Sequence, residues 1–199
     1  MILWLKGDWY FAYKMSSNIY LITTVIHILF VIVAVGSVTV TDYLHLIGLR
    51  KKRLERQLKN IYPKLSDLIN LALIMIFITG GYLIYLNPVL WASSLFLTKL
   101  ALVFVVTING LILQKIISPN LDLCVMKGRK YCSPKVLYTS AISGSISIVT
   151  WYSIVVLALT KRIGYTVNQF LISYLIVLVI AIIFAIILER KARKWNDEI

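Results

Sequence analysis

Hydrophobic residues occupy this chain in long unbroken runs, and polar residues collect in short stretches between them. Four runs, at residues 19–41, 68–98, 136–160 and 163–188, contain no Asp, Glu, Lys or Arg. A fifth run, residues 100–114, is separated from the second by the single charge of Lys99. A helix needs about 20 apolar residues to cross the roughly 30 Å hydrocarbon core of a bilayer, because each residue adds about 1.5 Å. The pattern therefore predicts five membrane spans.

These spans use most of the chain and predict an all-α polytopic membrane protein. Hydrophobic residues make up 60% of the sequence and charged residues 15%, which excludes a soluble globular domain. We predict one membrane domain over residues 1–199, with spans near residues 19–44, 66–87, 93–117, 136–160 and 168–188. The first four spans contain most of the intramembrane polar residues and are expected to form a four-helix bundle. The uniformly apolar fifth span is expected to face lipid.

The first 17 residues combine aromatic and charged side chains and differ from the spans. Trp4, Trp9 and Tyr10 lie close to Lys6 and Asp8. A segment with this many charges is unlike the apolar part of a signal peptide. Trp and Tyr concentrate at the headgroup level because their rings are amphipathic. Residues 1–17 are therefore predicted to form an interfacial helix that leads into the first span.

Basic residues are distributed unequally between the two sides that five spans create. Most of the 21 Lys and Arg residues fall on one side, in segments 50–64, 115–135 and 190–194. The positive-inside rule places that side in the cytoplasm and the amino terminus outside an inner or plasma membrane. Topology and attraction to anionic lipid heads then explain the net charge of +13. Nucleic-acid binding is not expected, because no basic face outside the spans is interleaved with aromatic side chains.

Ionisable residues inside the spans are the strongest functional hints, because each is costly in hydrocarbon. His27 of the first span and Lys99 of the third both lie roughly 9 to 12 Å inside the same end of the bundle, by rise per residue. At these depths the two side chains could meet. Near the other end, Asp42 and His45 share one helix face and form a second candidate polar site.

A buried histidine in a four-helix membrane bundle is typical of an axial ligand of haem iron. In that interpretation a nearby lysine supplies a charge for a haem propionate or a proton during turnover, which makes Lys99 a candidate catalytic residue. Two simpler interpretations stay open. His27 can instead form a hydrogen bond between helices, and the Lys99 side chain can extend to the outer interface. For His45, an interfacial position paired with Asp42 is favoured.

Short motifs give the chain a resemblance to small membrane haem proteins. An apolar stretch and Gly36 follow His27, and the third span opens with the sequence LTKLALV at residues 97–103. Over the first three spans this resembles the bacterial haem-containing protoporphyrinogen IX oxidases and the related copper-resistance D family. The resemblance implies haem b, with His27 as the iron ligand and Lys99 as the catalytic or haem-proximal cation. Asn109 lies about where the oxidases have a histidine next to a glycine, and is a candidate cofactor-binding residue. The oxidase reaction itself is not implied, because that histidine is absent.

Three functions are compatible with these observations. The first is redox or electron transfer by a haem protein. The second is a non-catalytic subunit or assembly partner, or a homo-oligomer, that docks through small-residue helix faces such as residues 140–145. The third is transport of a small solute or metal along the polar side chains of spans one, three and four. Cys124 and Cys132 are expected to be thiols, because no further ligand in their loop completes a zinc site.

Overall fold

The fold was analysed in a computed structural model that describes residues 2–48, 55–120, 133–160 and 166–197. Within these ranges, side chains are described for residues 17–44, 61–120, 133–159 and 166–191. The predicted thiols of Cys124 and Cys132 therefore lie outside the described residues. The described backbone is helical apart from short connections, and it contains no strand.

Five long helices carry the architecture. They are α1 (Ile2–Gly48), α2 (Glu55–Leu86), α3 (Ser94–Ile112), α4 (Pro134–Thr160) and α5 (Val167–Asp197). A short 3-10 helix, Pro88–Ala92, joins α2 to α3, and Ser93 caps α3 by accepting a hydrogen bond from the Phe96 amide. A π-helical segment, Leu113–Ile117, continues α3 without a break.

Each long helix contains a stretch that is long and apolar enough to cross a membrane. Within the described residues these stretches are Ser17–Leu44, Ile61–Leu86, Ser94–Asn120, Pro134–Leu159 and Val167–Lys191. A helix suits this environment because it satisfies its backbone N–H and C=O groups within its own segment. The all-α, five-span prediction is confirmed, and each predicted span overlaps one of these stretches. The protein is a multi-pass membrane protein whose apolar helix surfaces contact lipid.

The first helix is longer than a bilayer needs. It contains 47 residues and starts at Ile2, so the amino-terminal segment continues into the span without a break. At 1.5 Å per residue it is about 70 Å long, roughly twice the thickness of the hydrocarbon core. The position of residues 1–17 along the membrane interface stays a prediction, because their side chains lie almost entirely outside the described part.

The first four helices form the bundle, and α5 packs on its outside. Helix α1 contacts α2 and α4, while α4 also contacts α3 and α5. Helices α2 and α3 meet through side chains such as Phe77 and Phe104, whose ring centroids are 6.1 Å apart. No residue is buried in the most apolar window of α5, in agreement with its predicted contact with lipid.

Helix α4 is the most central of the five. In its apolar window 44% of the residues are buried, against 22% or fewer in the other helices. Ser140, Ser143 and Ser145 are all buried, and small side chains of this kind let neighbouring helices approach closely. Trp151 and Leu157 fill the space further along the helix. Helix α4 therefore anchors the arrangement that positions the polar side chains of α1 and α3.

Candidate functional site

His27 projects from α1 towards α2 and is held there by a hydrogen bond. Its Nδ1 lies 2.8 Å from Oγ1 of Thr79. The Thr79 hydroxyl has one proton and donates it to the Met75 carbonyl at 2.6 Å. When the hydroxyl keeps this bond to Met75, Nδ1 is the donor to Thr79 and Nε2 keeps its lone pair; when the hydroxyl donates to Nδ1, the roles of the two ring nitrogens are reversed. Metal-binding histidines usually donate their second ring N–H in this way, because the bond fixes both the tautomer and the ring orientation.

Gly80 provides the space beside the imidazole ring. A Cβ atom added at Gly80 would lie 3.4 Å from Cε1 and 3.8 Å from Nδ1 of His27. At Gly81, the next residue, an added Cβ would meet nothing within 4 Å. The ring also forms a hydrogen bond with the backbone at Ile76. One turn of α2 therefore both holds the ring and makes room for it.

Lys99 brings a positive charge to the same place from a third helix. Its ammonium group interacts electrostatically with His27, and its side chain is partly buried. This interaction places the positive charge of Lys99 near the His27 ring. Their roles in ligation and catalysis stay predictions.

Metal-binding side chains do not cluster around His27 in the part of the chain whose side chains are described. No group of three or more His, Cys, Asp and Glu residues there could hold a metal ion. A haem would need only one axial ligand from the protein, because its macrocycle supplies four nitrogens.

Asn109 has both ends of its amide bonded to one neighbour. Its Nδ2 donates to the Ser143 carbonyl at 2.9 Å, and its Oδ1 accepts from the Ser143 hydroxyl at 2.6 Å. Asn109 is 7% exposed, so these bonds join α3 to α4 inside the bundle. It lies ten residues beyond Lys99, about 15 Å further along the helix. The described contacts are those of a helix clamp, and cofactor binding by Asn109 stays a prediction.

A second amide pair joins α2 to α3. Asn70 donates to Gln114 Oε1 at 3.2 Å, and Gln114 donates to Asn70 Oδ1 at 2.8 Å. Gln114 lies in the π-helical segment of the third span. Reciprocal amide bonds of this kind satisfy polar groups that would otherwise be costly inside a membrane.

Asp42 lies at the other end of α1, near two helices. A Cβ added to Gly144 of α4 would be 3.8 Å from Asp42 Oδ1, and Tyr62 of α2 interacts electrostatically with the carboxylate. The His45 side chain lies outside the described residues. The predicted pairing of Asp42 with His45 therefore stays a prediction.

Several partners at these sites were not anticipated from the sequence. Thr79 stood out only as one of few polar residues in its span, and nothing connected Gly80 with His27 or Tyr62 with Asp42. One usable signal was depth. Thr79 lies seven residues from Leu86, about 10 Å inside the same end of the bundle as His27.

Comparison with family models, with curated proteins and with solved structures gives no match to this chain. The resemblance to membrane haem proteins therefore depends on the sequence motifs alone. The functional assignment depends on the geometry around His27.

Proposed function

We propose that this integral membrane protein binds one haem b through His27 and acts in membrane redox or electron transfer. The observation that carries the proposal is the 2.8 Å hydrogen bond between His27 Nδ1 and Thr79 Oγ1, beside the 2.6 Å bond from Thr79 to the Met75 carbonyl. The proposal takes Nδ1 as the donor to Thr79, which leaves the lone pair on Nε2. A neutral imidazole fixed in this way is the form that ligates iron.

Each residue around the ring has a separate task in this proposal. His27 provides the axial nitrogen, Thr79 orients the ring, and Gly80 leaves space for its edge. Lys99 provides a positive charge that can pair with a haem propionate or hold a proton near the site. The apolar side chains of the bundle exclude water and lower the local polarity, which tunes the potential of a bound haem. Haem, when bound, supplies one-electron chemistry at its iron.

One axial protein ligand is expected rather than two. The chain has two histidines, and His45 lies eighteen residues after His27 on the same helix, about 27 Å away. A single haem cannot bridge that distance. His27 would therefore be the one histidine ligand of the proposed haem.

An absorption spectrum of the protein purified in mild detergent, before and after dithionite, tests this proposal. We expect a Soret band that shifts on reduction, with about one haem per chain. A folded protein without this band would overturn the haem assignment. It would favour instead a non-catalytic subunit or assembly partner, which would co-purify with another membrane protein, or a transporter of a small solute or metal.

The proposed orientation has the amino terminus outside and the carboxyl terminus in the cytoplasm of an inner or plasma membrane. The bias of basic residues supports it, and the same residues are placed to attract anionic lipid heads. Cys124 and Cys132 are the native cysteines and lie in the loop predicted to be cytoplasmic. A membrane-impermeant maleimide should label them only after intact cells are lysed, and labelling of intact cells would reverse the orientation.

A further inference from the structure

Asp42 has a buried carboxylate oxygen that the rest of the described structure does not satisfy. Its Oδ2 has no hydrogen-bond partner among the described residues. A carboxylate removed from water is costly unless it is paired, hydrogen-bonded or neutralised. Native proteins rarely leave such a group without a partner, so an unsatisfied oxygen indicates a ligand at this position.

Three helices meet at this carboxylate. Gly144 of α4 faces Asp42 Oδ1, and a Cβ at that position would come within 3.8 Å of the oxygen. Ser140 and Ser147 flank Gly144 on the same face of α4 at helical spacing, and both are buried. Tyr62 of α2 is close enough to interact electrostatically with Asp42. The groups shown near the carboxylate are thus the Tyr62 phenol and the open space beside Gly144.

We propose that Asp42, in the gap between Tyr62 and Gly144, is the binding site of a monovalent cation, either a sodium ion or a proton. Carboxylate and hydroxyl oxygens are the ligands that hard cations prefer. Asp42 directly follows the charge-free run 19–41 and precedes the basic segment that begins at Arg50. This sequence position puts it towards one end of the first span, where a cation would reach it from the adjacent aqueous phase without crossing the hydrocarbon core. The site is independent of the proposed haem.

Among the described side chains, α2 contributes Tyr62 as a titratable group near Asp42, and α4 contributes Gly144. On α1 itself, His45 and the basic residues that follow lie outside the described side chains. Pairing of Asp42 with one of these residues is the competing explanation of the buried oxygen. The experiment has to separate a bound cation from an ion pair within the chain.

Infrared spectroscopy and thermal unfolding of the detergent-purified full chain separate these cases. A carboxylic-acid C=O band at neutral pH that disappears in Asp42→Asn and persists in Asp67→Asn would establish a proton. Asp67 is a suitable control because it is exposed on α2. A rise in Tm in sodium chloride over choline chloride of equal ionic strength, absent in Asp42→Asn, would establish sodium.

The proposal is overturned if neither signal depends on Asp42. The C=O band and the sodium-dependent rise in Tm are also measured in His45→Gln. If a signal that depends on Asp42 is lost in this variant, the partner of Asp42 is His45 and not a cation. Gly144→Ala adds a second, milder test, since its methyl group narrows the gap without removing the carboxylate. We expect it to weaken the sodium response or shift the C=O band. Neither arm depends on haem, so the Soret band of Asp42→Asn should equal that of the unmodified protein.

Discussion

Two polar regions of the bundle differ in how their hydrogen-bonding groups are used. Between Asn109 and Ser143, both ends of one amide are bonded to a single neighbour. Between His27 and Thr79, the bond occupies one ring nitrogen and, with Nδ1 as the donor, leaves the lone pair on the other. The first arrangement holds two helices together and leaves little capacity for a ligand. The second orients a donor atom, and a cation from Lys99 lies close by.

This difference separates stabilising polar residues from candidate functional ones. Polar residues in a membrane bundle commonly either stabilise helix packing or take part in function, and their residue type alone does not distinguish the two roles. Asn109 and His27 both stood out from the sequence as cofactor-binding candidates. The partners they have in the fold now give them different expected responses to substitution.

Thr79→Val should produce the largest effect at the His27 site. Valine keeps the volume of threonine but removes the acceptor for Nδ1, so the ring loses its fixed tautomer. Loss of such a supporting bond typically weakens metal binding about 10- to 100-fold. Titration of haem into apo-protein measures the change, with Thr79→Ser, which keeps the hydroxyl, as the matched control. Equal haem affinity in the valine and serine variants would contradict the proposed role.

Asn109→Ala should lower the free energy of unfolding by about 1 to 2 kcal/mol, since two interhelical bonds are lost and each is worth about 0.6 kcal/mol or more. Asn120→Ala is the control, because Asn120 is exposed and bonds within its own helix to Ile116. Unfolding in mixed detergent micelles measures both. We expect haem content per folded chain to stay unchanged. Loss of haem without loss of stability would instead make Asn109 a cofactor-binding residue.

Gly80→Ala should have a smaller effect, because the added methyl carbon would sit 3.4 Å from His27 Cε1 and displace the ring only slightly. We expect haem binding to weaken by about 1 kcal/mol or less, at the low end of the range for overpacking. Gly81→Ala, where nothing lies within 4 Å, should bind haem as the unmodified protein does. The same titration measures both variants. Equal affinities would show that Gly80 does not position the ring.

The Asn70 and Gln114 pair should give the smallest effect. A double-mutant cycle with Asn70→Ala and Gln114→Ala should yield a coupling energy of about 0.6 kcal/mol, the average for hydrogen bonds between membrane helices. Unfolding measurements on the two single variants and the double variant supply the cycle. Additive effects would mean that the two hydrogen bonds do not stabilise the bundle.

The fold was largely predictable because the bilayer imposes one simple rule. Charge-free runs of sufficient length identify spans, and the same rule predicted that the apolar fifth helix would pack outside the bundle. Helix ends were less predictable. Hydropathy placed the second span at residue 66, whereas α2 starts at Glu55, because a helix can continue into the polar region beyond the membrane. The charged residues there carry no signal that distinguishes helix from loop.

The depth of the site residues in the membrane was predictable, but the rotation of the helices that carry them was not. Counting residues from the predicted span ends placed His27 and Lys99 at similar depths, where they could meet. Whether Thr79 or another residue of α2 faces His27 depends on the rotation of one helix against the other. That rotation is set by small contacts such as the one at Gly80, which sequence periodicity does not specify in an apolar helix.

The most direct test of the central claim compares the two histidines of the chain. His27→Ala and His45→Ala are purified in mild detergent, verified as folded by size exclusion, and compared with the unmodified protein by their reduced and oxidised absorption spectra. We predict that His27→Ala has no Soret band while His45→Ala keeps the full band. A full band in His27→Ala, or its loss only in His45→Ala, would contradict the assignment of His27 as the haem ligand.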